Sequence, residues 1–370
     1  MKKFIALLLS LALLAGAASC AFAAGTKAVT VVATIFPVWD WIRELTAGIE
    51  NVNLVLLLDN GVDLHSYQPS AKDIMTISTA DMFVYVGGES DEWVEDVLAA
   101  AVNPDLVSVS LTEAMGDGLK EEEIVEGMEH EHGHDHDHDH EEDEDHDHDH
   151  DEDHDHDEDH DQDEDHDHDE EHDHDEDEDE EHDHDHDHEH EEEYDEHVWL
   201  SLRNAEKLTG ALADALAKAD PANAEVYAAN AQAYAAKLQE LDGRYAETVA
   251  NAAFKTLLFG DRFPFRYLTD DYSLTYFAAF TGCSAESEAS FGTIAFLAGK
   301  VDELKLPAVM TIEGGNHKIA ETVVATASDP ARKILTMNSM QSVTAADVEQ
   351  GVTYLSMMEE NLNVLKEALN

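Results

Sequence analysis

The chain has 370 residues, with 85 acidic and 20 basic side chains and a formal net charge of −65. A protein of this charge attracts cations and repels nucleic acid and anionic lipid headgroups, which argues against a role in binding either polyanion.

The N-terminal residues predict export. Two lysines precede an apolar run over residues 4–15, which is typical of a signal peptide and too short for a membrane span. An A-x-A site would end a signal peptide of residues 1–23, whereas a weak lipobox would leave a lipid anchor on Cys20. Both alternatives predict a protein of the periplasm or of the outer face of the cytoplasmic membrane.

Cys20 and Cys283 are the only cysteines in the sequence. Either processing route removes Cys20 as a disulfide partner, so no internal disulfide is expected. We expect Cys283 to be a buried, inert thiol. A cysteine-based zinc site is then excluded, and any metal ion must be held by histidines and carboxylates.

Residues 28–120 are predicted to form an α/β lobe. Apolar runs rich in β-branched residues predict buried strands, and helical stretches lie between them. Strands that alternate with helices are typical of a parallel sheet covered on both faces. The predicted strands are residues 29–35, 52–58 and 82–86, and the predicted helices are residues 38–47 and 71–79.

His65 lies in a loop after the second of these strands, within the sequence GVDLHSYQPS. Loops at the carboxyl ends of parallel strands are where open α/β sheets bind ligands. Asp63 or Ser66 could orient the imidazole through a hydrogen bond. A histidine in such a loop can also be an ordinary surface residue, but the composition of the next segment favours a metal ligand.

Residues 121–196, the histidine-rich segment, contain 21 of the 24 histidines and 48 acidic residues, with no Lys or Arg. Alternating imidazole and carboxylate groups are typical of sequences that bind divalent transition metals. Almost no apolar residue is present and the charges repel one another, so a disordered metal-binding loop is predicted. His197 is either the last member of this segment or a fixed ligand, and the apolar Trp199 and Leu200 after it favour the second interpretation.

Two helices are predicted after the histidine-rich segment. The first belongs to residues 197–221, the rest of the N-terminal lobe, and ends at Asp220-Pro221. The second, residues 222–253, is rich in strong helix formers and would be about 48 Å long at 1.5 Å per residue. A helix of this length most simply links two lobes.

Residues 254–370 alternate strands and helices again and predict a C-terminal α/β lobe. The predicted fold class is therefore α/β, with two lobes, each a mainly parallel sheet flanked by helices, joined by one long backbone helix. The predicted elements of this lobe are strands at 254–259, 308–312 and 333–335 and helices at 291–304, 317–327 and 346–369.

The motif GVDLHSYQPS followed by HVWLSLRNA resembles the paired signature of the zinc/manganese substrate-binding proteins of ABC importers. An acidic His-rich loop between the two motifs is typical of the zinc-type members, and residues 342–369 also resemble the C-terminus of that family. The resemblance covers essentially the whole mature chain. It implies one metal ion in the cleft between two lobes, with His65 and His197 as the ligands from the first lobe.

The second lobe departs from the family pattern at the third ligand. Where zinc-type members carry a histidine, this chain has Asp261, and a carboxylate is an accepted zinc ligand. Alignment on Tyr267 instead places Arg262 there, which cannot bind a cation. The predicted metal ligands are therefore His65, His197 and Asp261.

Other groups remain as alternatives for the second-lobe ligand. The carboxylate position of the family falls near Gln341, whose neutral amide would weaken the donor set or leave a water in that place. Glu313 and His317 follow a predicted strand end and could also reach a cleft, although such residues often cap a helix.

The resemblance implies a monomeric protein that captures Zn²⁺ outside the cytoplasm and delivers it to an ABC-type membrane permease. Two imidazoles favour Zn²⁺, but the missing third histidine keeps Mn²⁺ as an alternative. A zinc buffer or chaperone, with the histidine-rich segment as the main site, is a second alternative. An enzyme is not expected, because neither a Gly-x-Ser-x-Gly motif nor a phosphate-binding glycine loop is present.

Overall fold

The computed structural model describes residues 28–128, 194–284, 288–314 and 316–370. The predicted signal peptide, the lipobox with Cys20, and residues 129–193 of the histidine-rich segment lie outside the described residues. Among the helices of the described ranges, none combines the length and the apolar character that a bilayer crossing requires.

The first sheet belongs to the N-terminal lobe, and all of its strand pairs are parallel. Its strands are β1 (Val29–Ala33), β2 (Val52–Leu56), β3 (Met82–Tyr85) and β4 (Val107–Ser110), in the order β2-β1-β3-β4. Its helices are α1 (Phe36–Leu45), α2 (Ala71–Ser78), α3 (Trp93–Ala99) and α4 (Leu111–Met115). The predicted strands of this lobe form close to their expected positions, and β4 is an addition to them.

Two helices follow the histidine-rich segment. They are α5 (Leu202–Ala219), which the Ser201 hydroxyl caps by accepting the N–H of Asn204 at 3.0 Å, and α6 (Ala224–Asn251). With 28 residues, α6 is about 42 Å long at the usual rise per residue.

The long helix α6 is hydrogen-bonded to both lobes. The Asn230 amide donates to the carbonyl of Leu45 at 2.8 Å, at the end of α1. About four turns further along, its buried Tyr245 donates to the carbonyl of Met358 at 2.6 Å, in the C-terminal lobe. The predicted backbone helix is therefore confirmed.

The second sheet repeats the parallel arrangement in the C-terminal lobe. Its strands are β5 (Thr256–Phe263), β6 (Thr275–Thr281), β7 (Ala308–Ile312) and β8 (Lys333–Met337), in the order β6-β5-β7-β8. Its helices are α7 (Arg266–Asp271), α8 (Phe291–Glu303), α9 (Lys318–Thr326), α10 (Ala345–Glu349) and α11 (Tyr354–Ala368).

The strand β6 and the helix α7 are additions to the prediction for this lobe, and two predicted elements have other bounds. The strand predicted at 254–259 continues to Phe263, and its register against β6 shifts between Phe259 and Arg262. The closing helix predicted at 346–369 is divided in two. Gly351, at φ +86°, lies after α10, and the Thr353 side chain then caps α11.

The ends of the histidine-rich segment are folded, which corrects the predicted boundaries of the disordered loop at 121 and 196. Glu121 pairs with Tyr194 in an antiparallel bridge, and the N–H of Asp195 donates to the carbonyl of Lys120 at 2.9 Å. Residues 121–128 and 194–196 are therefore part of the folded protein. Their backbone groups find partners, which offsets the conformational entropy lost when they are ordered.

The C-terminal helix α11 is fixed to the first lobe at its N-terminus. The backbone N–H of Tyr354 donates to the carboxylate of Asp40 in α1 at 2.9 Å, and its hydroxyl donates to the carbonyl of Trp199 at 2.7 Å. The Tyr354 ring also meets Trp41 edge-on at a centroid distance of 5.2 Å. Burial raises the pKa of Asp40 to about 6, although the Tyr354 N–H and the Arg43 charge act in the opposite direction.

We expect Asp40→Asn to become more stable relative to the unmodified protein as pH rises. The pKa of Asp40 rises from 3.8 to about 6 on folding, so its carboxyl group contributes most to stability below pH 4 and loses that contribution as pH rises through 6. The asparagine oxygen can still accept the Tyr354 N–H. The gain in free energy of unfolding between pH 4 and pH 7 should be up to about 3 kcal/mol, measured by urea denaturation.

The matched control is Asp214→Asn, on an exposed position of α5. Its stability difference from the unmodified protein should be nearly independent of pH. A constant difference for Asp40→Asn over the same range would show that the Asp40 carboxyl ionises as freely in the folded protein as in the unfolded one.

Candidate metal site

His65 lies at the carboxyl end of β2, in a 3₁₀ turn formed by Leu64–Ser66. Asp63 begins this turn, and its Oδ1 accepts the backbone N–H of His65 at 3.1 Å. The Nδ1 of His65 lies 2.7 Å from the hydroxyl of Ser90. This hydrogen bond orients the ring and leaves Nε2 for another partner.

His197 is completely buried and directly precedes a 3₁₀ turn of Val198–Leu200. The Oδ1 of Asp195 accepts the backbone N–H of His197 at 2.8 Å and lies 2.9 Å from its Nδ1. A carboxylate in this position keeps the ring proton on Nδ1 and leaves the lone pair on Nε2. Both the position and the tautomer of this imidazole are therefore set by the residue two places before it.

The two imidazoles meet through these Nε2 atoms. The Nε2 atoms of His65 and His197 are 3.3 Å apart, and their rings are inclined at 55°. Two nitrogens bound to one tetrahedral Zn²⁺ at about 2.0–2.1 Å would be about 3.3–3.4 Å apart. Burial and the neighbouring His197 lower the pKa of His65 to about 3, so its imidazole is neutral at physiological pH. The structure thus brings these two predicted ligands together with the spacing that a zinc ion needs.

A thiol is the third group at this position. His65, His197 and Cys283 each offer one ligand atom, and the three atoms lie within 4.8 Å of one another. Cys283 lies just after the carboxyl end of β6, so it comes from the second lobe. The structure thus places a cysteine beside the two imidazoles, where only histidines and carboxylates were expected.

Asp261, the third predicted ligand, is not in this group of the described residues. Its carboxylate oxygens accept the backbone N–H groups of Arg262 at 2.9 Å and Ile312 at 3.2 Å. Because β5 continues through Asp261 instead of ending before it, the side chain links two neighbouring strands. The structure gives this carboxylate a role in the sheet and does not bring it to the imidazoles.

Arg262 connects the two lobes beside His65. Its Nη2 lies 2.6 Å from the Oδ2 of Asp63, and both side chains are largely shielded from solvent. Burial would raise the pKa of Asp63, but the hydrogen bond and charge of Arg262 outweigh it and hold that pKa below its ordinary value. Arg262 is thus an ion-pair partner of the residue that begins the His65 turn.

The other sequence candidates line a cavity of about 390 Å³ between the lobes, together with His65 and Asp261. Glu313 accepts three hydrogen bonds, from the backbone and hydroxyl of Ser339 and from the backbone of Gln341. The Gln341 amide donates to the Ser339 hydroxyl at 3.2 Å. His317 begins α9 in a left-handed conformation, with φ +50°. Glu313, His317 and Gln341 therefore form a polar wall, outside the group that contains the two imidazoles.

Three carboxylates, of which Asp195 and Glu196 are buried, lie near the grouped side chains. Glu196 is 2% exposed, and its Oε1 accepts the N–H of Ser90 at 3.0 Å, while its Oε2 has no hydrogen-bond partner. Burial raises the pKa of Glu196, and burial together with the charges of Glu122, Asp195 and Glu196 raises that of Cys283. Such negative charge stabilises a divalent cation at this position.

Sequence analysis did not identify Ser90, Asp195, Glu196 or Cys283 as parts of the site. Asp195 and Glu196 directly precede His197 but look like the last acidic residues of the histidine-rich segment. Cys283 could have been identified as a candidate from its place just after β6, but the sequence analysis did not predict that strand.

These features define a class of protein: a two-lobed α/β binding protein whose candidate metal ligands meet where its lobes join. The chain belongs to the family described as zinc-uptake complex component A, periplasmic (ZnuA), whose model matches residues 31–368.

Curated relatives support this assignment. The zinc-binding lipoprotein AdcA of Streptococcus pneumoniae (strain ATCC BAA-255 / R6) is 30% identical over 367 residues, which are 99% of this chain and 61% of AdcA. The high-affinity zinc uptake system protein ZnuA of Bacillus subtilis (strain 168) is 27% identical over 339 residues, or 92% of this chain and 87% of that protein. The chain therefore spans only about three-fifths of the length of AdcA.

Solved structures show the same fold. The Zn(II)-bound ZnuA-like domain of Streptococcus pneumoniae AdcA matches with a TM-score of 0.61 and 25% identity, over 92% of this chain and 98% of that domain. The metal-dependent lipoprotein YcdH of Bacillus subtilis matches with a TM-score of 0.63 and 23% identity, over 92% and 99% of the two chains.

The comparisons confirm the predicted family and the two-lobed fold. The relatives are named for zinc binding and zinc uptake, which agrees with the predicted ion and with the prediction that the chain is not an enzyme. The periplasmic description of the family agrees with the predicted export.

We expect Asp195→Asn to weaken zinc binding by about 10–100-fold, the usual effect of removing the carboxylate behind a metal-bound imidazole. The amide cannot fix the His197 tautomer as a carboxylate does. Zinc affinity would be measured by competition with a chromogenic chelator, and thermal unfolding of the metal-free variant would verify that it folds. An unchanged affinity would mean that the contact between Asp195 and His197 does not act on the metal.

Proposed function

We propose that the chain captures Zn²⁺ outside the cytoplasm, in the cleft between its lobes, and delivers it to an ABC-type membrane permease. The observation that carries this proposal is the 3.3 Å separation of the His65 and His197 Nε2 atoms. Each ring is held from its Nδ1 side by a separate partner, Ser90 or Asp195. A pair of oriented imidazoles is a preorganised site, so little free energy is lost in ordering the ligands when the ion binds.

The donor set supports Zn²⁺ over the alternative, Mn²⁺. Manganese prefers carboxylate, carbonyl and water oxygens, whereas imidazole and thiolate donors suit zinc. The carboxylates that could favour manganese, Asp261 and Glu313, are both occupied with hydrogen bonds from the backbone. The zinc-named relatives support the same choice.

We propose that the histidine-rich segment supplies ions to this site. Its composition would raise the local concentration of cations, and its many weak positions would exchange them quickly. The folded ends of the segment support this role, because both are close to the candidate ligands. Asp195 contacts His197, and the Oε1 of Glu122 accepts the backbone N–H of Cys283 at 3.0 Å.

Delivery requires a partner that receives the ion. Membership in a family of zinc-uptake complexes supports a membrane permease as this partner. Because the candidate ligands come from both lobes, a permease that displaced one lobe relative to the other would release the ion. We propose that the chain acts as a monomer, and that a lipid on Cys20 is one way of keeping it near the membrane.

We expect His65→Ala to abolish the tight zinc site and to leave only weak binding of several ions, because one of two preorganised donors is lost. Isothermal titration calorimetry with Zn²⁺ would measure both classes of site. The matched control is His317→Ala, which removes a histidine from the same cavity but not from the ligand group, and should keep the tight site. If His65→Ala retains tight binding, the proposed cleft site is wrong.

Deletion of residues 130–191 should leave one tight zinc site, with unchanged affinity, and should remove the weak sites. The deletion keeps both folded ends of the histidine-rich segment, including the bridge between Glu121 and Tyr194. A short Gly/Ser linker would join the ends. Loss of the tight site in this variant would favour the buffer, in which the histidine-rich segment is itself the functional site.

A further inference from the structure

We infer that Cys283 is a metal ligand, and that its thiolate completes a three-residue site with His65 and His197. This inference rests on the proposed function, since it names a further ligand of the same site. It gives the second lobe a direct bond to the ion and makes the site selective for thiophilic ions.

The distances permit this coordination. The three ligand atoms lie within 4.8 Å of one another. With Zn–S near 2.3 Å and Zn–N near 2.0–2.1 Å, a tetrahedral site needs a sulfur–nitrogen separation of about 3.5–3.6 Å. The sulfur therefore has to approach the imidazole nitrogens by no more than about 1.3 Å.

The backbone around Cys283 is built to bring the thiol to this place. A Cβ at Gly282 would lie 3.0 Å from the Nδ1 and Cε1 of His197 and 3.0 Å from the carbonyl oxygen of Phe263. A larger residue would therefore push against the ring, and glycine lets the chain pass close to it. On the other side, the Cys283 N–H is held by Glu122 at 3.0 Å. The segment is thus fixed before and at the cysteine.

The surroundings of Cys283 are those of a metal ligand and not of an inert core thiol. A buried structural cysteine packs as a small apolar side chain. Cys283 instead lies among the two imidazoles and near the carboxylates of Glu122, Asp195 and Glu196. The unpartnered, buried Oε2 of Glu196 adds negative charge to this environment, which favours a cation beside the sulfur.

A thiolate with two imidazoles would determine which ions bind. This donor set suits Zn²⁺ and Co²⁺ and is poor for Mn²⁺, Mg²⁺ and Ca²⁺, which prefer oxygen. The thiolate also supplies one negative charge, the charge that Asp261 was predicted to bring. Selectivity for zinc would then come from the second lobe through a single atom.

Cobalt is the probe for the test, because a Co²⁺–thiolate bond gives an intense near-ultraviolet charge-transfer band. The imidazoles and carboxylates of the histidine-rich segment cannot produce it. The full chain should show the band with one equivalent of Co²⁺. His317→Ala, the matched control at a histidine outside the ligand group, should keep the band. Cys283→Ser should lose it and bind Zn²⁺ at least about tenfold more weakly.

A second measurement uses the unmodified chain and so does not depend on how a variant folds. Bound Zn²⁺ should slow the alkylation of Cys283 by iodoacetamide at least tenfold, with mass spectrometry of the labelled peptides separating Cys283 from Cys20. The same amount of Zn²⁺ should give little protection in His65→Ala.

The outcomes separate the two proposals. Tight Zn²⁺ binding without a thiolate band or protection of Cys283 would overturn this inference and leave the proposed function intact. Absence of any tight site in the unmodified chain would overturn the proposed function and this inference with it. A charge-transfer band that persists in Cys283→Ser would also refute the assignment.

Discussion

The candidate metal site depends on two imidazoles that are held with their Nε2 atoms facing each other. Asp195 occupies the Nδ1 of His197, and Ser90 occupies that of His65. With these outer nitrogens engaged, the inner nitrogens cannot turn away, and their lone pairs repel each other unless a proton or a metal ion lies between them. The surrounding structure therefore maintains an arrangement that a divalent cation stabilises, and the first lobe alone supplies both rings.

The fold holds this site at the junction of the lobes through a few long-range contacts. The helix α6 is bonded to α1 near one end and to α11 near the other, and α11 is bonded in turn to Asp40 of the first lobe. Tyr354 also donates to the carbonyl of Trp199, two residues after His197. The hydrogen bond that fixes α11 thus lies two residues from the buried His197. The same contacts therefore stabilise the junction of the lobes and the candidate site.

Much of the fold and half of the site follow from local sequence patterns. Runs of β-branched residues predict the buried strands, and the motifs around His65 and His197 predict the two imidazoles. Cys283 was missed because it depends on β6 and on the approach of Gly282 to an imidazole, which are contacts between residues far apart in sequence. Asp261 was predicted as a ligand because it lies near the place of the family's third histidine. In the structure β5 continues through Asp261, and its carboxylate accepts a hydrogen bond from β7. The folded ends of the histidine-rich segment were not predicted, because their acidic residues resemble those of the rest of the segment.

The bridge between Glu121 and Tyr194 holds the two ends of a long insertion side by side. The length of the insertion therefore does not change the positions at which it joins the rest of the fold. The entropic cost of joining the two ends of an insertion grows only with the logarithm of its length, by about 0.6 kcal/mol for each doubling. Repeats of His and Asp could therefore be gained or lost between these two residues at almost no cost to folding. The proposed weak sites of the histidine-rich segment and the proposed tight site in the cleft can therefore evolve independently.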